Sequence, residues 1–107
     1  MANIIGRFCF ELDGQNLKGK FSNNIHLFNY PETAIRINGT SFIGQFSSSW
    51  TDETNKKSTA SLVIGLKNGS TYIYSLTWFN QNIEFMGEGF VIDVDGKEIL
   101  IGDYRNF

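Results

Sequence analysis

A five-residue pattern, apolar-x-Gly-x-aromatic, recurs along the chain and limits its fold more than any other feature. It reads Ile4-x-Gly6-x-Phe8, Leu17-x-Gly19-x-Phe21, Phe42-x-Gly44-x-Phe46 and Leu100-x-Gly102-x-Tyr104, with Phe85-x-Gly87-x-Gly89 as a degenerate copy. A period of two belongs to a β-strand, in which alternate side chains share a face. All three marked residues of a copy therefore face one way, which we assign to the interior. Glycine weakens a strand unless the backbone must bend or meet something closely. In a barrel, such glycines relieve crowding and let strands coil. They also leave interior room.

Turn dipeptides divide the chain into segments. Alternation predicts strands over 4–12, 17–23, 33–37, 40–48, 61–66, 71–79, 83–94 and 97–104. Asp13-Gly14, Asn38-Gly39, Asn68-Gly69 and Asp95-Gly96 separate them in pairs. These dipeptides suit two-residue hairpins, whose central positions need positive φ; the first turn has room to run through Gln15 and Asn16. Asn38-Gly39-Thr40 and Asn68-Gly69-Ser70 also match the glycosylation pattern, but read first as turns. No segment carries a helical period, and 26–30 has room for a single helical turn. The expectation is one all-β domain over 1–107, an eight-stranded antiparallel up-and-down (meander) barrel. Composition agrees: 15% of residues are aromatic and only one is Pro, which suits strands and opposes disorder. A chain of 107 residues buries one modest core without a disulfide or metal.

The connections differ in length. Strands 2–3 and 4–5 are joined by residues 24–32 and 49–60, and strands 6–7 by Asn80-Gln81-Asn82. The other joints are tight, so a meander places all tight turns at one end and the longer loops at the other. Function usually sits on loops carried by a rigid scaffold. Following the interior face to the loop-bearing end gives Asn23 after Phe21, Ser48 after Phe46 and Asn106 after Tyr104. Strand 6, read as Tyr72-Tyr74-Leu76-Trp78, adds Trp78 and then Asn80. An eight-stranded barrel either fills with side chains or holds one small ligand, and an apolar cavity with a few placed polar groups is the composition of a pocket. The candidate ligand site thus has walls of Phe21, Phe46, Trp78 and Tyr104, with hydrogen-bonding groups from Asn23, Ser48 and Asn80. The plainer alternative is that strands turn polar where they reach water.

Other chemistries lack a constellation. The single histidine, His26, falls in the loop between strands 2 and 3, and no Ser or Cys stands in a nucleophile motif. Asp93-x-Asp95-Gly96 begins like a calcium loop, but Lys97 and Ile99 fall where oxygen donors are needed. Glu84 and Glu88 flank Met86 on one face and read as solvated. The expectation is a protein that is not an enzyme and has no metal or cofactor. Net charge is −2 with basic residues scattered, which argues against nucleic acid. Cys9, the one cysteine, forms no intrachain disulfide and reads as a small buried apolar residue. No segment suits a membrane span or a signal peptide. A cytoplasmic protein is the default; a secreted chain that has lost its signal reads the same way.

Two surface features remain. Ile73, Met86, Phe90, Ile92, Ile99 and Ile101 point outward from strands 6–8 in this reading, an apolar face that predicts a homo-oligomer. Residues 50–57 form a polar loop led by Trp50, with Asp52, Glu53 and Lys56 as further contacts. That loop supports an alternative function, a protein-interaction module of inhibitor or immunity type. A third reading is a small carbohydrate-binding protein with Trp50 stacked on a sugar. The leading expectation is a non-catalytic protein that holds a small, partly apolar ligand at the loop-bearing end.

Several segments resemble one known family. Leu17-Lys-Gly-Lys-Phe-Ser-Asn23 resembles the first strand of avidin and streptavidin, and Phe42-Ile-Gly-Gln-Phe-Ser-Ser48 their Gly-Thr-Tyr strand. Tyr74-Ser-Leu-Thr-Trp78 resembles their tryptophan strand. Phe85-Met-Gly-Glu-Gly-Phe90 with Asp95-Gly-Lys-Glu-Ile-Leu100 resembles the next hairpin. Lipocalin-like barrels repeat Gly-x-aromatic strands as well. The avidin resemblance implies a circularly permuted barrel in which residues 4–12 supply the family's last strand. It also implies that Asn23, Ser48 and Trp78 face a biotin-like ligand. Phe46 stands where the family has a tyrosine, and Tyr104 where it has a tryptophan.

Overall fold

Period-two alternation becomes eight strands in a computed structural model, which describes residues 3–25, 27–51 and 55–107. They are β1 (Ile5–Asp13), β2 (Asn16–Asn23), β3 (Tyr30–Thr40), β4 (Ile43–Thr51), β5 (Lys57–Leu66), β6 (Tyr74–Asn80), β7 (Asn82–Val94) and β8 (Lys97–Asn106). Each pairs antiparallel with the next, and β8 pairs with β1, closing an up-and-down barrel. Closure leaves no open sheet edge. It also sets the first and last strands side by side, Phe8 opposite Gly102 and Phe10 opposite Leu100.

The repeats face inward as their period requires. Phe8, Leu17, Phe42, Phe46, Leu100 and Tyr104 are all buried, joined by Phe10, Leu62, Ile64 and Leu76. Each such side chain contributes roughly 1.5–3 kcal/mol by leaving water. The glycines between them serve closure. A Cβ on Gly6 would lie 2.5 Å from the Tyr104 ring, and one on Gly87 would meet both Tyr104 and Phe8. The room that these glycines leave is thus taken by neighbouring rings. Cys9, expected inside, is instead half-buried on the outer face, because Phe8 and Phe10 take the interior positions beside it.

The Asp95-Gly96 turn forms as its sequence predicts, with both residues at positive φ and the Asp93 carboxylate accepting from Gly96 N–H at 2.8 Å. Two other turns differ. Asn38-Gly39 does not turn the chain: both residues stay in β3, Gly39 opposite Gly44, and the loop is Ser41-Phe42. Burial of Phe42, 1% exposed, favours this register, and Asn38 Oδ1 accepts from Gln45 N–H at 3.1 Å. Asn68-Gly69 does bend the chain, with Ser70 N–H bonded to Lys67 O at 2.9 Å. However, Ser70 Oγ then accepts from Tyr72 and Ile73 N–H, and β6 starts only at Tyr74. Tyr72, expected on the interior face, is 69% exposed, and Ile73 lies before β6 rather than on it. Residues 27–29 form no helical turn, and Tyr30 opens β3; His26 lies outside the described residues.

A bulge in β3 decides what the barrel contains. The pairing of β3 with β4 slips by one residue between Arg36 and Asn38, leaving Ile37 unpaired. Counted back from the Ser41-Phe42 turn, a one-residue slip sends every side chain beyond it to the other face. Glu32, Ala34 and Arg36 consequently point inward, while Ile35 and Ile37 are more than half exposed. At the tight-turn end, Arg36 closes the barrel. Its Nε donates to Gln15 O at 2.6 Å, and Nη1 to Asn38 O and Ile43 O at 3.3 and 3.2 Å. Nη2 donates to Ser41 O, and the guanidinium sits 4.7 Å over the Phe46 ring, within cation–π range.

Candidate functional site

At the other end the interior is not filled. A cavity of about 170 Å³, open at its mouth, is lined by Ile4, Phe8, Phe21, Asn23, Tyr30, Glu32, Trp50, Trp78, Phe85 and Tyr104. These residues come from the ends of strands that meet at the loop-bearing end, as the alternation of connections predicts. The rings hold one another in place. Tyr104 lies 5.9 Å from Trp78, 5.7 Å from Phe85 and 6.4 Å from Phe21, centroid to centroid. Phe21 in turn meets Trp50 edge-on at 6.3 Å, and Phe8 meets Trp78 edge-on at 5.7 Å. Offset and edge-to-face pairs of this kind add about 0.5–1.5 kcal/mol each beyond their burial.

Two polar groups are built into these walls. On one side, Asn23 Nδ2 donates to the Tyr104 hydroxyl at 3.1 Å, and Asn23 Oδ1 accepts from Ile25 N–H at 2.9 Å, fixing the start of the β2–β3 loop. Burial raises the Tyr104 phenol above its ordinary value, the Asn23 bond opposes that rise, and the negative charge of Glu32 adds to it.

On the other side is Glu32, only 5% exposed. Ser48 Oγ donates to its Oε2 at 2.5 Å and Trp78 Nε1 to the same oxygen at 2.9 Å. Oε1 accepts no hydrogen bond from a described residue. Burial pushes the carboxyl up from 4.5 to about 7, against the lowering effect of the Ser48 and Trp78 bonds. Loss of water from around a charge is the dominant cause, since desolvation disfavours the charged form of an acid.

Of the expected wall and hydrogen-bonding residues, Phe21, Asn23, Trp78 and Tyr104 line the cavity. Phe46 does not: it is fully buried beneath Arg36, a layer nearer the closed end. Ser48 is fully buried as well, and reaches the cavity only through Glu32. Asn80 is exposed at the β6–β7 turn. It is the last residue of β6, beside Gln81 at positive φ, and it reaches water there instead of the cavity; the slip in the β6–β7 ladder leaves Glu84 of β7 unpaired and does not alter the alternation of β6. Asn106 Oδ1 instead accepts from Ile4 N–H at 2.9 Å, tying the N-terminal segment to β8.

The polar-loop residues separate. β4 runs through Thr51, so Trp50 belongs to a strand, half-buried and turned into the cavity against Phe21 rather than leading a surface loop. Lys56 is exposed, and Asp52 and Glu53 lie outside the described residues. On the outer face, Phe90 stands opposite Ile101 and Ile92 opposite Ile99 across β7–β8, with Phe90 46% exposed and the other three half-buried. Met86, also half-buried, lies further along β7 beside Thr77 and Arg105.

The sequence reading's ligand site lacks Ile4, Phe8, Tyr30, Phe85 and Glu32, and places Trp50 in a surface loop; Glu32 is the one acid among them. Pro31 and Glu32 have loop composition, and only the bulge at Ile37 sends the carboxylate inward. Comparison with protein-family models, curated proteins and solved structures found no match for the chain.

Proposed function

We propose that this chain is a non-catalytic binding protein that holds a small, partly apolar ligand in the loop-bearing end of its barrel. The observation that carries the reading is the cavity: aromatic walls around Asn23, Glu32 and Tyr104, with an open mouth. An apolar cavity of roughly 150 Å³ is known to take up benzene, so about 170 Å³ suits a molecule built on one ring. An architecture like that of avidin, permuted so that β1 closes on β8, agrees with this reading. Biotin itself is a fused bicycle on a carboxylate arm, more than the single ring that this cavity suits, and the arm would add a second negative charge near Glu32. The proposal is therefore a barrel of that kind serving a smaller ligand. Trp50 turned inward favours this reading over one in which it anchors a partner or stacks on a sugar at the surface.

The test is an NMR titration of the full chain with single-ring compounds. Saturable shifts at the Trp50 and Trp78 indole N–H and around Tyr104, with residues near Arg36 unmoved, are expected. No shift at those positions with any such compound at millimolar concentration would end the proposal.

A further inference from the structure

Glu32 and Arg36 lie on the same inward face of one strand, and the chain treats them differently. Arg36 is satisfied from within, by four backbone carbonyls and the face of Phe46. Glu32 is not. No Lys or Arg among the described residues pairs with it, both of its hydrogen bonds end on Oε2, and Oε1 accepts none from a described residue. A carboxyl this deeply buried is costly unless it is paired or protonated. It stands at a cavity whose other walls are mostly aromatic rings, and ring faces attract cations.

We infer that the cavity takes a small primary ammonium ion carrying one apolar ring, with Glu32 as its counter-charge. The inference rests on the ligand-binding reading and names the ligand class. A guanidinium fork wants both oxygens of a carboxylate, but Oε2 already accepts from Ser48 and Trp78. A point-like ammonium needs one oxygen and finds Oε1. Trp78 and Phe8 then lie beside the charge, and Tyr104, Phe85, Phe21 and Trp50 surround the apolar group. A ligand carboxylate is disfavoured at the same place by repulsion.

Affinity for such a cation depends on pH through Glu32. Tyr30 of β3 and Tyr104 of β8 are the other titratable groups among the described lining residues, and phenols ordinarily ionise near about pH 10. The elements around them present Ile4, Phe8, Phe21, Asn23, Trp50, Trp78 and Phe85, none of which ionises.

The experiment measures binding of benzylammonium and of benzyl alcohol, its neutral counterpart of equal size, to the full chain by calorimetry at pH 8 and pH 6. Benzylammonium is expected to bind tighter at pH 8 by roughly tenfold or more. With Glu32 titrating at about 7, its affinity is expected to fall about tenfold at pH 6, while that of benzyl alcohol moves less than about twofold. In Glu32→Gln, checked for fold by its amide spectrum, the preference for the ammonium is expected to collapse. Equal or tighter binding of the alcohol at pH 8 overturns the ammonium inference and leaves the cavity a ligand site. Binding of neither at millimolar concentration overturns both. The wild-type pH comparison decides the matter even if the variant does not fold.

Discussion

Trp78 on β6 donates its indole N–H to the Glu32 carboxylate on β3 at 2.9 Å, a bond that crosses the barrel interior between strands that are not neighbours. It joins the aromatic wall to the one buried acid among the described residues. The state of that acid therefore bears on the stability of the whole barrel.

Glu32 titrates at about 7 in the fold against 4.5 ordinarily. Between those values the unfolded chain gives up the proton and the folded chain keeps it. Stability therefore falls as pH rises from about 4.5 and levels off once Glu32 is charged, a difference on the order of 3 kcal/mol. Glu11 is held low by Lys97 and Lys18, so its contribution is lost only below that window. Melting curves by circular dichroism are expected to show the wild type losing stability between pH 5.5 and pH 8, with Glu32→Gln nearly flat. Parallel curves for the two proteins would refute the assignment.

Ser48→Ala removes one of the two donors to Oε2. At pH 8 the charged carboxylate is left under-solvated, and the loss is expected to be about 1–2 kcal/mol in a urea titration. At pH 5.5, where Glu32 is neutral, the loss is expected to shrink. Since the Ser48 bond lowers the carboxyl's affinity for a proton, the variant's pH transition moves upward. An equal loss at both pH values would mean that Ser48 acts by packing alone.

Arg36→Met keeps an apolar stem over Phe46 but withdraws the donors from the carbonyls of Gln15, Asn38, Ser41 and Ile43. A cost of about 2–4 kcal/mol is expected in the denaturation midpoint. The Trp78 indole resonance, at the far end, is expected to stay in place. A midpoint within error of wild type would show that water replaces the guanidinium without penalty.

The outward row of Phe90, Ile101, Ile92 and Ile99 is the remaining ground for a homo-oligomer. If that face joins two copies, light scattering at tens of micromolar reads a multimer, and Phe90→Glu returns it to monomer with the melting temperature little changed. A wild-type monomer under those conditions removes the idea.

The fold was legible because the repeats combine two constraints in the same five residues: alternation and close approach. Phe8, Phe21 and Tyr104 could be placed on one interior face, and the loop-bearing end identified, from their period alone. The site was legible only in part. Asn23, Trp78 and Tyr104 continue an unbroken alternation and were found. Asn80 ends β6 at the turn and meets water instead of the cavity, which alternation alone does not reveal. Glu32 escapes for a different reason, a break in the alternation of its own strand. In β3 the bulge at Ile37 turns two isoleucines outward and an acid and a base inward, the reverse of what hydropathy favours. No local residue signals the bulge; it follows from seating Phe42 and pairing Gly39 with Gly44 across the sheet.

The position of Arg36 has a kinetic consequence. Because its side chain is bound by backbone on several sides, the barrel is a cup rather than a tube. In the proposed binding role a guest enters and leaves by the mouth beside Ile4, Tyr30 and Trp50. Exchange is then strictly sequential: a bound molecule has to depart before another arrives, and none can be pushed out from behind. Residence time in that role would be set at the mouth alone.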